Sequence, residues 1–372
     1  MNFSSLTRAI VASAFLLIVL GCGQQDSNDR EQVQSSSGNL ITVMDNPEPA
    51  SYGKSTVDSL VRLDDVRGMD WLGEDEILID RENRDFKPEF AEGAEWYPHN
   101  MYVYSLTTKT QAPLHAADEN QGYAQVSPDR TKVFYKTFSL QSNTGKGYIF
   151  DFATGKPVSF TGPDAMDVQN GRWADNDSVV YSTIEGEILR ARYGNAVPES
   201  LLGKSFPFAT NIALLNGRLY FSSLRGQMMT MALNGKPEDF TTNVVWMVPS
   251  PDEQRLAIVR KLKSGAMELD TTDLQGNILQ AIAQDAQIYG SAWSPDGNKL
   301  AYAAITTNGT VRGIYVADTT TGLSSALSLD VKFIADTLHW SPTGNRLMVS
   351  STQPDEQQSR NKFVTYLARV TE

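Results

Sequence analysis

Residues 289–304 read YGSAWSPDGNKLAYAA: a short strand ending on the aromatic Trp293, the turn Ser294-Pro295-Asp296-Gly297-Asn298, and a second strand over 299–304. Proline presets φ early in the turn, and Asp and Gly favour the tight reversal that follows, so the stretch is a β-hairpin with a physical cause. The unit recurs along the chain. With an apolar strand residue seven positions after each corner, the corners fall at Trp71, Val126, Trp173, Ile212, Pro249, Trp293 and Trp340, 37 to 55 residues apart. Second strands are expected over 76–80, 132–136, 178–183, 218–222, 255–260, 299–304 and 346–351. Third strands follow most of them, at 101–106, 147–152, 313–318 and 362–369. Turn-forming runs such as Ala153-Thr154-Gly155-Lys156 and Leu233-Asn234-Gly235-Lys236 then lead into a fourth.

Four-stranded units of this period, with nothing helical between them, predict an all-β, seven-bladed β-propeller. A six-bladed ring is the alternative if the degenerate fourth copy, where Asn216-Gly217 stands in for the motif, is discounted. No single blade buries both faces of its sheet, whereas radial stacking does, and the corner tryptophans are expected to wedge between blades. The last copy carries only three strands. Ring closure therefore calls for a strand from the N-terminal side: residues 40–44 are expected to supply it, with residues 58–63 as the alternative.

Ser127-Pro128-Asp129, Ser250-Pro251-Asp252, Trp293-Ser294-Pro295-Asp296-Gly297 and Trp340-Ser341-Pro342-Thr343-Gly344 resemble the repeat of TolB-like propellers, relatives of the WD-repeat class. The resemblance spans residues 66–372, being strongest in the last two units and weakest in the fourth. It implies the fold and leaves the activity open, since such propellers include scaffolds and peptidase accessory domains.

The chain begins with one early Arg8, an apolar run over 9–20 and then Gly21-Cys22. The run is short for a membrane span and matches the apolar region of a signal peptide. Val19-Leu20-Gly21-Cys22 resembles the bacterial lipobox, which implies that residues 1–22 are a lipoprotein signal peptide and that Cys22 is lipidated and becomes the mature N-terminus. An ordinary secretory signal with an incidental cysteine is the alternative. Residues 23–39, rich in Gln, Ser, Asn and Asp, are expected to be a flexible tether reaching roughly 20–25 Å, with the propeller domain over 40–372. The expected location is the outer side of the bacterial cell membrane, held by lipid.

A net charge of −12 over 372 residues argues against nucleic-acid binding, which needs clustered Lys and Arg to displace phosphate counterions. Cys22 is the single cysteine, which excludes an intramolecular disulfide and a thiol catalyst in the body. Three histidines, His99, His115 and His339, leave little for a His-based metal site, and no cofactor is expected. No Gly-x-Ser-x-Gly elbow, zincin motif or P-loop occurs. The oxygen-rich turns at Asp175–Asn176–Asp177 and 294–298 read as hairpin chemistry rather than calcium loops.

In a four-stranded blade the turn between the first and second strands lies on one rim, and the loop between the second and third on the other. The insertions over 81–100, 137–146, 261–266, 306–312 and 353–361 thus share one rim. Residues 81–100, RENRDFKPEFAEGAEWYPHN, combine Arg84, Phe86, Phe90, Trp96, Tyr97 and His99. Aromatic and Arg residues on an ordered loop are the composition of interface hot spots, or of a loop folding its own aromatics onto the blade below. His339, beside Trp340, is expected to line the channel or pack. The expected function is a lipid-anchored module that binds or scaffolds an extracytoplasmic protein or envelope polymer. The alternative is a carbohydrate-active enzyme or glycan-binding propeller with its site at the channel mouth.

Overall fold

A computed structural model describes residues 30–34, 40–44, 55–91, 94–138, 144–161, 166–167, 171–306, 312–327, 334, 336–355 and 360–371. Residues 1–22, Cys22 among them, lie outside these. Seven antiparallel sheets of strands in simple meander order form the seven blades. Their second strands are Glu76–Glu82, Lys132–Phe138, Ser178–Ser182, Arg218–Ser222, Arg255–Lys261, Lys299–Ile305 and Arg346–Asp355. The fourth copy is a true blade. Its first two strands, Thr210–Leu215 and Arg218–Ser222, meet through Asn216 (φ 49°) and Gly217 (φ 74°). Two successive positive φ values are the demand of a type I′ turn, which Asn-Gly meets, so a two-residue hairpin replaces the Ser-Pro-Asp-Gly turn.

Closure of the ring corrects the expectation: the alternative segment closes it, not residues 40–44. Thr56–Asp64 runs antiparallel along Arg360–Thr371 as the outer strand of the last blade, with Thr56 opposite Thr371. Leu40–Met44 instead pairs with Arg30–Gln34, a strand inside the segment read as tether. The physical difference lies in the apolar pattern. An irregularity between Val57 and Ser59 brings Val57 and Leu60 onto one face, where both pack on the core shared by the last two blades.

Seven apolar clusters make up the described core, one at each seam between neighbouring blades. Each second strand is covered on both faces, so Ile77, Leu78 and Ile79 are all fully buried, as are Leu347 and Val349. The corner tryptophans add a directional bond to this packing. Trp71, Trp173, Trp293 and Trp340 donate their indole N–H to the backbone carbonyls of His339, Gln125, Val248 and Ala292, at 3.0, 3.0, 3.0 and 3.1 Å. Each acceptor lies on the innermost strand of the preceding blade. Where the corner is not Trp, a side chain reaches backbone instead: Val126 N–H donates to Asp70 (2.8 Å) and Met247 N–H to Asn211 (3.2 Å).

The Ser-Pro-Asp turns close on themselves. Ser294 Oγ donates to Asp296 (2.5 Å) and accepts from Lys299 N–H (2.9 Å), and Ser127 does the same with Asp129 (2.6 Å) and Lys132 N–H (3.0 Å). Asp175 is likewise occupied, by Ser178 Oγ at 2.6 Å and Asp177 N–H at 2.8 Å. These carboxylates are turn residues.

Candidate functional site

Two concave regions stand out: a cavity on the insertion rim over the closing seam, and the central channel. The rim cavity, of about 710 Å³, is built by the first and last blades together. Arg81, Glu82, Arg84, Trp96 and His99 line it from the first blade, and Asp355, Arg360, Lys362 and Phe363 from the last. The 81–100 insertion gains its order from the short hairpin of Glu89–Ala91 and Ala94–Trp96, with Phe90 opposite Glu95. A turn held by Asn83 anchors its base: Asp85 N–H donates to Asn83 Oδ1 (3.1 Å), and Asn83 Nδ2 donates to the buried Asn100 (2.9 Å).

Three of the six rim residues named from sequence, Arg84, Trp96 and His99, line this cavity. Tyr97 supports it from beside, its ring 5.3 Å from the Arg84 guanidinium and its hydroxyl donating to Glu95 at 3.3 Å. Phe86 is half-buried in the turn after Asn83. Phe90 is 77% exposed on the projecting hairpin and does not line the cavity. Across the seam the Arg360 guanidinium lies 4.9 Å from the Trp96 ring and pairs with Glu82, while Lys362 stands 3.5 Å from Asp65. Arg360, Lys362 and Phe363 were not singled out from sequence. Only closure of the ring brings Trp96 and Arg360, 264 positions apart, into one wall.

A charged chain leads from this cavity toward the channel. His99 Nδ1 lies 2.8 Å from Asp80, whose side chain is 2% exposed, and Asp80 lies 3.7 Å from Arg67. Arg67 donates to Asp336 through Nε (2.7 Å) and Nη2 (2.5 Å), between the rings of Tyr123 (4.9 Å) and Phe363 (5.0 Å). Burial alone would weaken the guanidinium's hold on its proton. The bonds and charge of Asp336 overcome that and raise its pKa above the ordinary value.

The channel comprises two connected spaces, about 760 Å³ toward the insertion rim and about 500 Å³ toward the turn rim. Both are walled by Tyr123, Gly171, Arg172, Trp246, Asp336 and Thr337, which define its waist. The residue just before each corner faces the lumen: Asp70, Gln125, Arg172, Asn211, Val248, Ala292 and His339. His339 is thus channel-lining as expected, 3.5 Å from Asp70, while His115 is exposed on a connector. The others were legible in principle, since the corner positions fix which residue precedes them. Among the described residues no group of three or more His, Cys, Asp or Glu stands together to hold a metal ion.

The geometry defines the class: a seven-bladed β-propeller with an elaborated insertion rim. No protein-family model matches the chain, and no curated protein matches it. Among solved structures it is similar to an oligogalacturonate lyase in complex with manganese, at 13% identity and a TM-score of 0.61, over 92% of this chain and 96% of that one. It is also similar to the oligogalacturonate lyase of Vibrio parahaemolyticus, at 11% identity and TM-score 0.60, over 92% and 96% of the two chains. TolB from Acinetobacter baumannii matches at 16% identity and TM-score 0.45, over 67% of this chain and 62% of that one. At these identities the likeness is one of fold.

Proposed function

We propose that this chain is a lipid-anchored, extracytoplasmic binding propeller that engages a protein partner through its insertion rim. The observation that carries the reading is Phe90, 77% exposed on a projecting hairpin beside a 710 Å³ cavity walled by Trp96, Phe363 and four cationic side chains. A large apolar ring held in water on an ordered strand gains free energy when a partner covers it. The adjoining Arg and aromatic surface is the kind that supplies hot-spot contacts.

The anchoring half of the proposal rests on the lipobox-like Val19-Leu20-Gly21-Cys22 and on Cys22 being the single cysteine. Fatty-acid labelling of cells expressing the native chain should mark it, and Cys22→Ser should abolish the label. For the rim, a partner recovered by crosslinking from intact envelopes is purified and titrated against the native protein and against Phe90→Ser and Trp96→Ala. The expected result is a loss of affinity of tenfold or more in each. Unchanged affinity in both variants, with their melting temperatures unchanged, would remove the rim as the binding surface. An envelope polymer in place of a protein would show as binding to isolated cell-wall material with the same dependence on Phe90 and Trp96.

A further inference from the structure

The waist of the channel carries a cation that no described residue neutralises. Arg172 opens the short strand Arg172–Trp173 and projects where the two channel spaces meet. It makes no hydrogen bond or ion pair with the described residues. Burial pushes its pKa down to about 10, and no carboxylate among the described residues opposes the shift. Its lumen neighbours on either side are neutral. Gln125 donates to Gly171 O (2.8 Å), and Asn211 donates to Ser222 Oγ (2.8 Å) while accepting from Met247 N–H (3.2 Å). The nearby acids are already engaged. Asp70 accepts from Trp71 N–H and Val126 N–H, each at 2.8 Å, and Asp336 is held by Arg67.

Two further polar groups on the same wall lack partners. Trp246, which lines both spaces, buries its indole N–H without an acceptor, and Ser291, in the lower space, buries its hydroxyl likewise. An indole N–H is a donor only, and a hydroxyl can donate. Buried polar groups left unpaired are each costly, so an unpaired guanidinium lining the lumen, with an indole N–H and a hydroxyl unpaired within the wall beside it, is matched by an acceptor-rich guest. The approach has the same sign. Among the described residues lining the upper space, Arg67, Arg172, Arg225 and Lys261 face a single acid, Asp336, in a chain whose net charge is −12. A cationic funnel in an anionic protein attracts anions to its mouth.

We infer that the channel waist is a binding site for an oxyanion, a carboxylate or phosphate of a small ligand that enters from the insertion rim and is held by Arg172. The planar guanidinium fork fits two oxygens of either group, and about 760 Å³ accommodates the body of a small ligand above it. This site is separate from the rim surface and does not depend on it.

The test uses the full chain and two probes, inorganic phosphate and citrate, against sodium chloride at matched ionic strength. Melting temperature should rise with the logarithm of phosphate or citrate concentration and stay flat in chloride, since a ligand that binds only the folded state stabilises it by mass action. Whichever probe acts more strongly tells whether phosphate or carboxylate is the preferred group. Arg172→Gln should melt higher than the native protein in chloride, because it removes an unpaired buried charge, and should lose at least tenfold in probe affinity. A second readout needs no variant: phenylglyoxal should modify Arg172 in chloride, and the effective probe should protect it. A native protein that responds to neither probe, an Arg172→Gln protein that responds as the native does, or labelling of Arg172 unaffected by the probe would each overturn the inference.

Discussion

The indole N–H of Trp71, in the first blade, donates to the main-chain carbonyl of His339, in the last, across 3.0 Å. Residues 268 positions apart in sequence are thus joined at the seam where the ring closes. The same bond recurs at three other seams, so a corner tryptophan both fills the gap between blades and satisfies a backbone acceptor.

Trp71→Phe keeps most of the apolar volume and removes the donor. The expected cost is about 1–3 kcal/mol, that of leaving a buried carbonyl unpaired. Urea unfolding of the two proteins measures it, and an unchanged midpoint would show that packing alone holds the seam.

Thr365 carries the polar part of that seam. Its Oγ1 accepts from Gly68 N–H (2.7 Å) and donates to Val66 O (3.0 Å), with all of these groups buried. Thr365→Val preserves the shape and strands two backbone groups, so it should destabilise by about 2–4 kcal/mol, whereas Thr365→Ser should cost less. Gly68→Ala should also destabilise, because a Cβ there would meet Met348 Sδ at 2.5 Å and Thr365 Cγ2 at 2.9 Å.

Truncation separates the two N-terminal strands by function. A chain beginning at residue 55 keeps Thr56–Asp64 on the last blade and should melt close to the full-length protein. One beginning at residue 66 loses that strand and exposes the long edge of Arg360–Thr371, which invites aggregation as well as unfolding. Equal melting temperatures for the two truncations would contradict closure by this strand.

Hydrogen bonds from Ser127 and Ser250 hold the Asp129 and Asp252 carboxyls below their ordinary value of 3.8. A carboxylate whose folded pKa is lowered contributes stability that is complete above the unfolded value and is lost as pH falls through the folded one. The native protein should therefore lose stability below about pH 3.8 more steeply than a Ser127→Ala, Ser250→Ala variant. Parallel pH profiles of melting temperature would show that the turns contribute nothing through these groups.

Much of the fold was legible because the repeat couples a turn of fixed chemistry to a strand of fixed offset. All seven predicted second strands coincide with observed ones to within a few residues at either end. The second strands, such as 299–304, are buried on both faces, because a blade inside a ring has a neighbour on each side. Closure was less legible. Residues 40–44 are strongly β-forming, yet pairing with the last blade demanded a segment able to place Val57 and Leu60 on its core. Of the candidate site, Arg84, Trp96 and His99 were readable from composition, since one insertion carries all three. Arg360 and Phe363 were not, because their relation to that insertion exists only once the ring is shut. Arg172 was overlooked beside the more conspicuous Trp173, although its place before the corner fixes its exposure to the lumen.

The central claim, that the rim over the closing seam is where a protein partner binds, is tested most directly by placing a photo-crosslinking amino acid at position 90 of the full chain in living cells. The same probe is placed at position 197, an exposed apolar position elsewhere on the chain, as the comparison. The account predicts one dominant crosslinked partner from position 90, absent from position 197 and lost when Trp96→Ala is added. The same faint products from both positions, unchanged by Trp96→Ala, would contradict it.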